Sequence, residues 1–254
     1  MSADDEQPVA LITGAAKRIG ACITQLFHAR GYRVIVHCNN SIVDAEALAT
    51  GLDEIRRDSA RVLQADLTNP EAVAKLSTQA LDCFNRLDVL INNASSFYAT
   101  EFGECNNEQW DDLIDSNLRA AFFLSQGLGN ELRQRRGSIV NIVDSYADSP
   151  LPHYPIYSIA KSGLKAMTRS LAKELAPEVR VNGVAPGAIL WPENLANDND
   201  PVVLEKRAAV LASIPLGKTG SPQHIAELSY FLAAGAAYVT GQVIKVDGGR
   251  HLNL

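Results

Sequence analysis

The sequence predicts a single-domain α/β fold, a doubly wound parallel sheet of seven strands with helices on both faces. Short β-branched apolar runs alternate with longer amphipathic stretches along the chain, which is the pattern of strand–helix units in a parallel sheet. Most runs are apolar at consecutive positions, as expected for strands covered on both faces. The 254 residues contain no repeat or low-complexity linker, so we expect one domain over residues 1–254.

Seven runs are expected to be strands. In chain order they are Val9–Gly14, Arg33–Cys38, Ala60–Leu67, Leu87–Ala94, Gly137–Asp144, Val179–Gly187 and Gln242–Gly249. Stretches such as IGACITQLFHARG and PEAVAKLSTQALDCFN lie between them and are expected to be helices. This order indicates a Rossmann-type sheet, in which ligands bind beyond the carboxyl ends of the strands.

Composition limits the classes of partner. The chain is 46% hydrophobic and 20% charged, and its formal net charge is −6, which argues against nucleic acid or an anionic membrane as a main partner. The polar start MSADDEQP resembles neither a signal nor a transit peptide, and no apolar run has the length of a membrane span. Four scattered cysteines and five isolated histidines predict reduced thiols, a cytoplasmic location and no metal.

The first strand leads into LITGAAKRIG, which is expected to bind phosphate. Gly14 ends the strand and Gly20 lies in the following helix, so the helix N-terminal amides can face an anion. Arg18 stands where a middle glycine would let the backbone approach a pyrophosphate. The alternative is a plain strand–helix turn with a solvent-facing arginine.

The end of the second strand bears on the choice of dinucleotide. It carries four neutral hydrogen-bonding side chains: His37, Asn39, Asn40 and Ser41. No carboxylate lies between the end of this strand and Asp44, although an acid at the strand end is typical of NAD sites. With Lys17 and Arg18 nearby, this end favours a 2′-phosphate and therefore NADP(H) over NAD(H). Asp66, after the third strand, either meets the adenine or caps the next helix.

Four motifs, TGAAKRIG, NNASSFY, YSIAK and PGAILW, together resemble the short-chain dehydrogenase/reductase superfamily. They occur in order and span nearly the whole chain. The resemblance is closest to the pteridine reductases, including bacterial dihydromonapterin reductase-like enzymes. That branch has Arg and Asp where this chain has Arg18 and Asp144, whereas the superfamily usually has Gly and Ser. The chain departs from the branch at Asn40, often a basic residue, and at Ile189, elsewhere small and polar.

The resemblance implies an NADPH site and a substrate site. The cofactor residues would be Gly14, Lys17, Arg18, Ile19, His37, Asn39, Asn40, Ser41, Asp66, Leu67, Asn93, Ala94, Ser95, Tyr157, Lys161, Pro186, Gly187 and Ile189. The substrate residues would be Arg18, Ser95, Phe97, Asp144, Tyr157, Leu190 and Trp191. Phe97 matches the aromatic that stacks on the pterin in this branch, and without the resemblance it is equally compatible with loop packing. Tyr146, Tyr154 and His153 either wall the pocket or lie on the surface.

Four residues are expected to carry the chemistry: Asp144, Tyr157, Lys161 and Asn117. Lys161 follows Tyr157 by one helical turn, and we expect its ammonium to stabilise the phenolate of a side chain whose ordinary pKa is near 10. The resemblance implies that Lys161 also binds the nicotinamide ribose and that Asn117 supports it through water. A Y-x-x-x-K spacing alone is common on helix surfaces.

Asp144 is expected to supply a proton. It ends the fifth strand, at the ligand-binding edge, and reduction of a pteridine C=N bond requires a proton on a ring nitrogen. A carboxylic acid whose pKa is raised in an enclosed site can deliver that proton through Tyr157. The alternative role is a cap of the loop SYADSP.

These expectations favour an NADPH-dependent reductase acting on dihydropteridines such as dihydromonapterin, dihydrobiopterin or dihydrofolate. The alternatives are a carbonyl (3-oxoacyl) or enoyl-thioester reductase of the same superfamily, and a non-enzymatic NADP(H)-sensing protein. Residues 190–213 are expected to form a flap or, equally, a plain surface loop. A homotetramer is expected, with the stripe Leu164, Met167, Leu171 and Leu175 facing a neighbour. The ending GGRHLNL either reaches a neighbour's pocket or frays.

Overall fold

A computed structural model describes residues 7–189 and 200–253. Within them seven parallel strands form one sheet in the order β3-β2-β1-β4-β5-β6-β7. The strands are β1 Val9–Ile12, β2 Arg33–Cys38, β3 Ala60–Gln64, β4 Val89–Asn92, β5 Ser138–Ile142, β6 Arg180–Pro186 and β7 Val243–Val246. The predicted doubly wound sheet is confirmed, because every expected strand is present and pairs in parallel.

Helices connect the strands. In the described residues they are α1 Arg18–Ala29, α2 Ile42–Ile55, α3 Pro70–Phe84, α4 Asn107–Ile114, α5 Ala120–Arg135, α6 Pro155–Glu174, α7 Pro201–Ala212 and α8 Pro222–Tyr230. A π-helical turn, Asp115–Arg119, joins α4 to α5, and a second, Phe231–Gly235, follows α8. Two short 3-10 turns, Ser145–Ala147 and Arg250–Leu252, follow β5 and β7. None of the described helices is both long and apolar enough to cross a membrane.

The apolar strands are covered on both faces, which explains why their apolar residues are consecutive. Ala10 and Ile12 of β1 pack in a cluster with α1, α2 and α8, whereas Val9 and Leu11 pack in a second cluster with α3, α5 and α6. Successive side chains of a strand point to opposite faces. A strand with helices on both sides therefore buries every side chain.

The stripe on α6 lies inside its own chain. Leu164 and Met167 pack against the sheet with Val143 and Ala185, and Leu175 belongs to the second large cluster. All three are less than 10% exposed. The expectation that this stripe contacts a neighbouring subunit is therefore wrong, because the helix needs these residues to bury its own sheet.

The strand order places a crevice at the carboxyl edge of the sheet. From β1 the chain proceeds outward through β2 and β3, then returns to β4 on the other side of β1. At such a reversal the connections after neighbouring strands diverge and leave a crevice. The motifs after β1, β4, β5 and β6 all lie at this edge.

Candidate active site

A cavity of about 820 Å³ opens at the carboxyl edge and brings together most of the predicted site residues. Those that line it are Gly14, Lys17, Arg18, Ile19, His37, Asn39, Asn40, Ser41, Asp66, Leu67, Asn93, Ala94, Ser95, Phe97, Asp144, Tyr157, Lys161, Pro186, Gly187 and Ile189. Asn117 lies behind the wall, and Leu190 and Trp191 lie outside the described residues. The described part of the expected flap, residues 200–213, contains helix α7, from which Val210 lines the cavity.

The turn after β1 has the geometry of an anion site. Gly14 has a φ of 61° and Arg18 a φ of 53°, so Arg18 adopts the left-handed conformation in which glycine is favoured. A Cβ at Gly20 would lie 2.2 Å from the Gly14 carbonyl oxygen, so the helix can approach the turn this closely only with glycine at that position. Helix α1 has no side-chain hydrogen bond at its N-cap, so its first amides can meet a phosphate.

The loop after β4 holds this turn in place. The Asn93 side-chain amide donates to the carbonyl oxygens of Thr13 and Gly14, at 2.8 and 3.0 Å. The Thr13 hydroxyl in turn accepts from the backbone N–H groups of Asn93 and Ala94. The side chain of Asn93 therefore shapes the turn, and its Nδ2 is engaged by the protein itself.

His37 is also engaged by the fold. Its Nδ1 accepts from the Gly14 N–H at 3.1 Å, and its Nε2 lies 3.1 Å from the Ala65 carbonyl oxygen. Because an N–H can only donate and a carbonyl can only accept, the ring is neutral and protonated on Nε2. Burial lowers the pKa of His37 to about 4. The expectation that its side chain offers hydrogen bonds to a cofactor is wrong, since both ring nitrogens already bond to the backbone. One bonds to Gly14 after β1 and the other to Ala65 after β3.

The outer lip of the nucleotide end carries a cation and its counterion. Lys17 Nζ lies 3.0 Å from Asp44 Oδ2, and both side chains are about half exposed. The carboxylate that follows the neutral residues in sequence therefore pairs with one of the two cations expected to meet a 2′-phosphate. Arg18 lines the same cavity.

Asp66 forms a local turn. Its Oδ1 accepts from the backbone N–H and the hydroxyl of Thr68, at 2.9 and 2.8 Å. Helix α3 is capped instead by Asn69, whose side chain accepts from Glu71 N and Ala72 N. The alternative that Asp66 caps this helix is therefore wrong, and Asp66 lines the cavity.

Asp144 and Tyr157 are in direct contact at the other end of the cavity. The Tyr157 hydroxyl donates to Asp144 Oδ2 at 2.7 Å, and Asp144 Oδ1 accepts from the Tyr146 N–H at 2.9 Å. The two roles expected for Asp144 are thus divided between its oxygens, one of which caps the loop while the other faces the phenol. Lys161, only 2% exposed, donates from Nζ to the Ile142 carbonyl oxygen at 3.0 Å.

The electrostatics of these three groups differ from a simple Tyr–Lys pair. Burial raises the pKa of Asp144, against the opposing effect of the Tyr146 and Tyr157 hydrogen bonds. Burial and the adjacent Asp144 carboxylate raise the pKa of Tyr157 well above its usual range. Burial lowers the pKa of Lys161 to about 8. The Tyr157 hydroxyl is in direct contact with the Asp144 carboxyl at 2.7 Å, whereas the Lys161 ammonium lies 5.7 Å from the centroid of the Tyr157 ring. Stabilisation of the phenolate by Lys161 stays a prediction.

Asn117 forms hydrogen bonds to the loop after β4, which lines one side of the cavity. It lies in the π-helical turn, where its Oδ1 accepts from the Ser95 hydroxyl at 2.6 Å and its Nδ2 donates to the Ser96 carbonyl at 2.9 Å. A π turn widens the helix locally and is frequent at functional sites. Asn117 thereby holds the loop that carries Ser95 and Phe97. Its support of Lys161 through water stays a prediction.

Phe97 presents an aromatic face at the cavity. Its ring is 51% exposed, stacks on Tyr154 at a centroid distance of 4.7 Å and meets Tyr157 edge-on at 4.8 Å. Tyr146 lines the cavity, whereas His153 pairs with Glu101 at 2.8 Å on the surface. Of the three residues proposed as pocket walls, Tyr146 contributes directly and Tyr154 supports Phe97.

Several residues at the cavity were missed by the sequence reasoning. They include Ser96, Asp112, Ser116, Ala188, Thr219 and Arg250. Arg250 belongs to the ending GGRHLNL, which here folds into a 3-10 turn against the cavity of its own chain. The turn is tied down by Asp247, which accepts from Gly249 N and from the backbone and ring of His251. Within residues 7–189 and 200–253, no group of three His, Cys, Asp or Glu side chains could hold a metal ion.

Comparisons with known proteins agree with this arrangement. A family model described as Enoyl-(Acyl carrier protein) reductase matches residues 14–251. The chain is 36% identical to Pteridine reductase 1 of Leishmania tarentolae, with 99% of each chain covered. It is 34% identical to the Granaticin polyketide synthase putative ketoacyl reductase 2 of Streptomyces violaceoruber, over 97% of each chain. It is 33% identical to a 3-oxoacyl-(acyl-carrier-protein) reductase of Vibrio cholerae, over 97% of this chain and 98% of the relative.

Proposed function

This chain belongs to the short-chain dehydrogenase/reductase superfamily, and we propose that it reduces dihydropteridines to tetrahydropteridines with NADPH. Members of this superfamily are oxidoreductases that use NAD(P)H. One observation carries the narrower proposal, namely the 2.7 Å contact between a buried Asp144 carboxyl and the Tyr157 hydroxyl. Reduction of a C=N bond places a proton on a ring nitrogen, and a buried carboxyl whose pKa is raised above its ordinary value is suited to pass a proton to Tyr157.

The cofactor fits the nucleotide half of the cavity. The glycine-limited turn, the uncapped N-terminus of α1 and Arg18 offer amides and a cation where the pyrophosphate of a dinucleotide would lie. When bound, NADPH supplies the hydride that goes to a ring carbon of the substrate. The buried Lys161 would meet the nicotinamide ribose, and its ammonium compensates negative charge that develops on the phenol.

The proposed proton relay uses the 2.7 Å contact between Tyr157 and Asp144 with its hydrogen bond reversed: in the structure the Tyr157 hydroxyl donates to Asp144 Oδ2, and in the proposed step a protonated Asp144 donates to Tyr157. As Tyr157 gives its hydroxyl proton to the ring nitrogen, it accepts the proton held on Asp144 Oδ2, so that the carboxyl ends ionised. The C=N bond gains hydride on carbon and a proton on nitrogen, and Asp144 takes a new proton from solvent before the next turnover. Burial raises the pKa of Asp144 above its ordinary value, which favours this reprotonation.

The substrate end suits a flat heterocycle. Phe97 lines the cavity and is half exposed, and an aromatic face stacks well on a planar π-system. The Ser95 hydroxyl, aimed by Asn117, lies at the same wall. The similarity to a pteridine reductase over the full chain supports this choice of substrate class.

The second candidate is a 3-oxoacyl or enoyl-thioester reductase. The matched family model and the two ketoacyl reductases, at 34% and 33% identity, favour it. Turnover of NADPH should be measured across 7,8-dihydrobiopterin, 7,8-dihydromonapterin, 7,8-dihydrofolate and acetoacetyl thioesters. We expect turnover of the pteridines and little of the thioesters. Turnover of the thioesters alone would overturn the proposal, and tight NADPH binding without turnover of either class would indicate a sensing protein.

We propose a homotetramer as the working assembly. With the α6 stripe buried, the supporting observation is a set of exposed apolar side chains on α4, α5 and α6: Trp110, Phe122, Phe123 and Ile159. A large exposed apolar face is typical of a contact with another chain. Light scattering at micromolar concentration tests this, and a monomeric mass would contradict it.

The remaining assignments follow from the same proposal. We propose one domain over residues 1–254, a cytoplasmic location and no nucleic acid or membrane partner. The cysteines at positions 22, 38, 83 and 105 are free thiols, which is typical of a reducing compartment. Mass spectrometry after thiol labelling of the native and the unfolded protein checks this last point.

A further inference from the structure

Arg250 is a cation at the substrate end of the cavity, far along the chain from the motifs TGAAKRIG, NNASSFY, YSIAK and PGAILW. It lines the same cavity as Asp144 and Tyr157. Its Nη1 donates to the Tyr146 hydroxyl at 3.1 Å, and its Nε donates to the Ser213 hydroxyl at 3.1 Å. Tyr146 is the residue whose N–H caps Asp144, and Ser213 follows helix α7. The guanidinium therefore joins the loop that carries Asp144 to the C-terminal end of helix α7, from which Val210 also lines the cavity.

The position of the guanidinium is fixed. Asp247 anchors the turn in which Arg250 lies through three hydrogen bonds, and the Asn253 side chain donates to the Ser213 carbonyl oxygen at 3.1 Å. The Tyr146 ring lies 5.8 Å below the guanidinium carbon. A side chain held in this way loses little further entropy when it binds a ligand.

Hydrogen-bonding capacity remains on this cation. A guanidinium has five N–H donors, and the described residues engage two of them. No carboxylate among the described residues forms an ion pair with Arg250; Asp144 faces Tyr157, and Asp247 is engaged by His251. An arginine fork that points into a cavity with donors to spare is suited to a bidentate anion.

The anion belongs to the substrate. The cofactor phosphates would lie at the turn after β1, with Arg18 and the N-terminus of α1, whereas Arg250 contacts Tyr146 beyond the proton-donating pair. We propose that Arg250 binds an anionic group, a carboxylate or a phosphate, on the side chain of the dihydropteridine. This inference rests on the proposed function and narrows it to dihydropteridines with an acidic tail.

The test compares three substrates in the variant Arg250→Gln. The substrates are 7,8-dihydrofolate with carboxylates, 7,8-dihydroneopterin monophosphate with a phosphate, and 7,8-dihydrobiopterin with a neutral tail. We expect kcat/KM for at least one anionic substrate to fall about 10- to 100-fold, mainly through KM. For the neutral substrate, the factor by which kcat/KM falls should be at least ten times smaller than for that anionic substrate. Raising the salt concentration should weaken the binding of the anionic substrate, measured as a higher KM, in the wild type and not in the variant.

Three further variants separate binding from folding. Arg250→Lys keeps the charge without the fork, so an intermediate loss is expected. Tyr146→Phe keeps the ring under the guanidinium and removes only its hydrogen-bond acceptor, so a loss of about threefold is expected. Arg57→Gln removes an exposed arginine remote from the cavity and should change no substrate. Melting temperatures show whether the C-terminal turn still folds.

Two outcomes would overturn the inference. An equal loss for anionic and neutral tails in Arg250→Gln would make Arg250 a positioning residue for Tyr146 and Asp144. No loss for any tail would mean that the fork does not contact substrate. Both presuppose that the wild type reduces dihydropteridines; if it reduces only thioesters, the proposed function itself has failed, and this inference falls with it.

Discussion

The two halves of the cavity use their polar side chains in opposite ways. At the nucleotide half, Thr13, His37 and Asn93 spend their hydrogen bonds on the backbone of neighbouring strands. At the reaction half, Asp144 and Tyr157 bond to each other with pKa values displaced by burial, and Arg250 has N–H donors that the described residues do not engage. In the first half these three side chains shape the cavity through bonds to the backbone, whereas in the second half Asp144, Tyr157 and Arg250 are available to a ligand. Substitutions in the first should therefore affect stability, and those in the second turnover.

The largest expected effect is at Asp144. Asp144→Asn keeps an oxygen to cap Tyr146 N but cannot hold a transferable proton, so kcat on dihydropteridines should fall on the order of 10²-fold or more. The melting temperature should change little, because the cap is preserved. Asp144→Ser and Tyr157→Phe should be similarly slow, since the first removes the acid and the second breaks the relay. NADPH binding should survive in all three variants.

The decisive comparison is kcat and melting temperature on one Asp144→Asn sample. A well-folded variant with nearly wild-type kcat would leave Asp144 as a loop cap only. In that case Oδ1 would cap the loop and the contact of Oδ2 with Tyr157 would not serve proton transfer.

The matching experiment in the nucleotide half is His37→Ala. It leaves the Gly14 N–H and the Ala65 carbonyl without partners in a buried place, which costs about 1–3 kcal/mol for each group. A domain of this size loses about 2–4 °C in melting temperature per kcal/mol, so a decrease of several degrees is expected. In the folded fraction, with NADPH saturating, kcat should stay close to wild type. A large loss of kcat at unchanged stability would show that the two halves are not separable in this way.

His37 also gives the stability a pH dependence. The folded protein binds a proton on this ring only near pH 4, whereas the ordinary pKa is 6.5. Between these values the unfolded chain takes up a proton that the folded chain does not, so the free energy of unfolding falls as the pH falls, by about 3 kcal/mol in total. Denaturant unfolding at pH 7, 6, 5 and 4 measures it. The slope from His37 should be absent in His37→Ala; equal slopes in the two proteins would contradict a buried neutral ring.

The smallest expected effect is at the outer lip of the nucleotide half. Lys17 pairs with Asp44, and a 2′-phosphate would compete with that carboxylate for the same ammonium. The wild type should use NADPH with a higher kcat/KM than NADH, and Asp44→Asn should widen the ratio by up to about fivefold, since exposed ion pairs are worth at most about 1 kcal/mol. Lys17→Gln should lower the ratio of kcat/KM with NADPH to kcat/KM with NADH. Equal or better use of NADH by the wild type would refute the cofactor proposal.

Much of the site was predictable because its motifs are local. The turn at Gly14 and Gly20, the Tyr157–Lys161 spacing and the Asp144 position each lie within a short stretch of chain, and the carboxyl ends of parallel strands meet at one edge. For the stripe on α6, a local pattern led to the wrong expectation of a contact with a neighbouring subunit. A helical period shows that one face of α6 is apolar, but it does not show whether that face meets its own sheet or a neighbouring chain.

The sequence by itself determined the order of strands and helices, the consecutive apolar strands and the places where chemistry is concentrated, because these depend on residues near one another along the chain. Only the tertiary structure decided that His37 bonds to the backbone of neighbouring strands, that the two oxygens of Asp144 have different partners and that Arg250 bonds to Tyr146 at the cavity. Arg250 and Tyr146 are 104 positions apart, and His37 and Ala65 are 28 apart. Burial, hydrogen-bond partnership and the pKa values that follow from them are set by groups that the fold brings together.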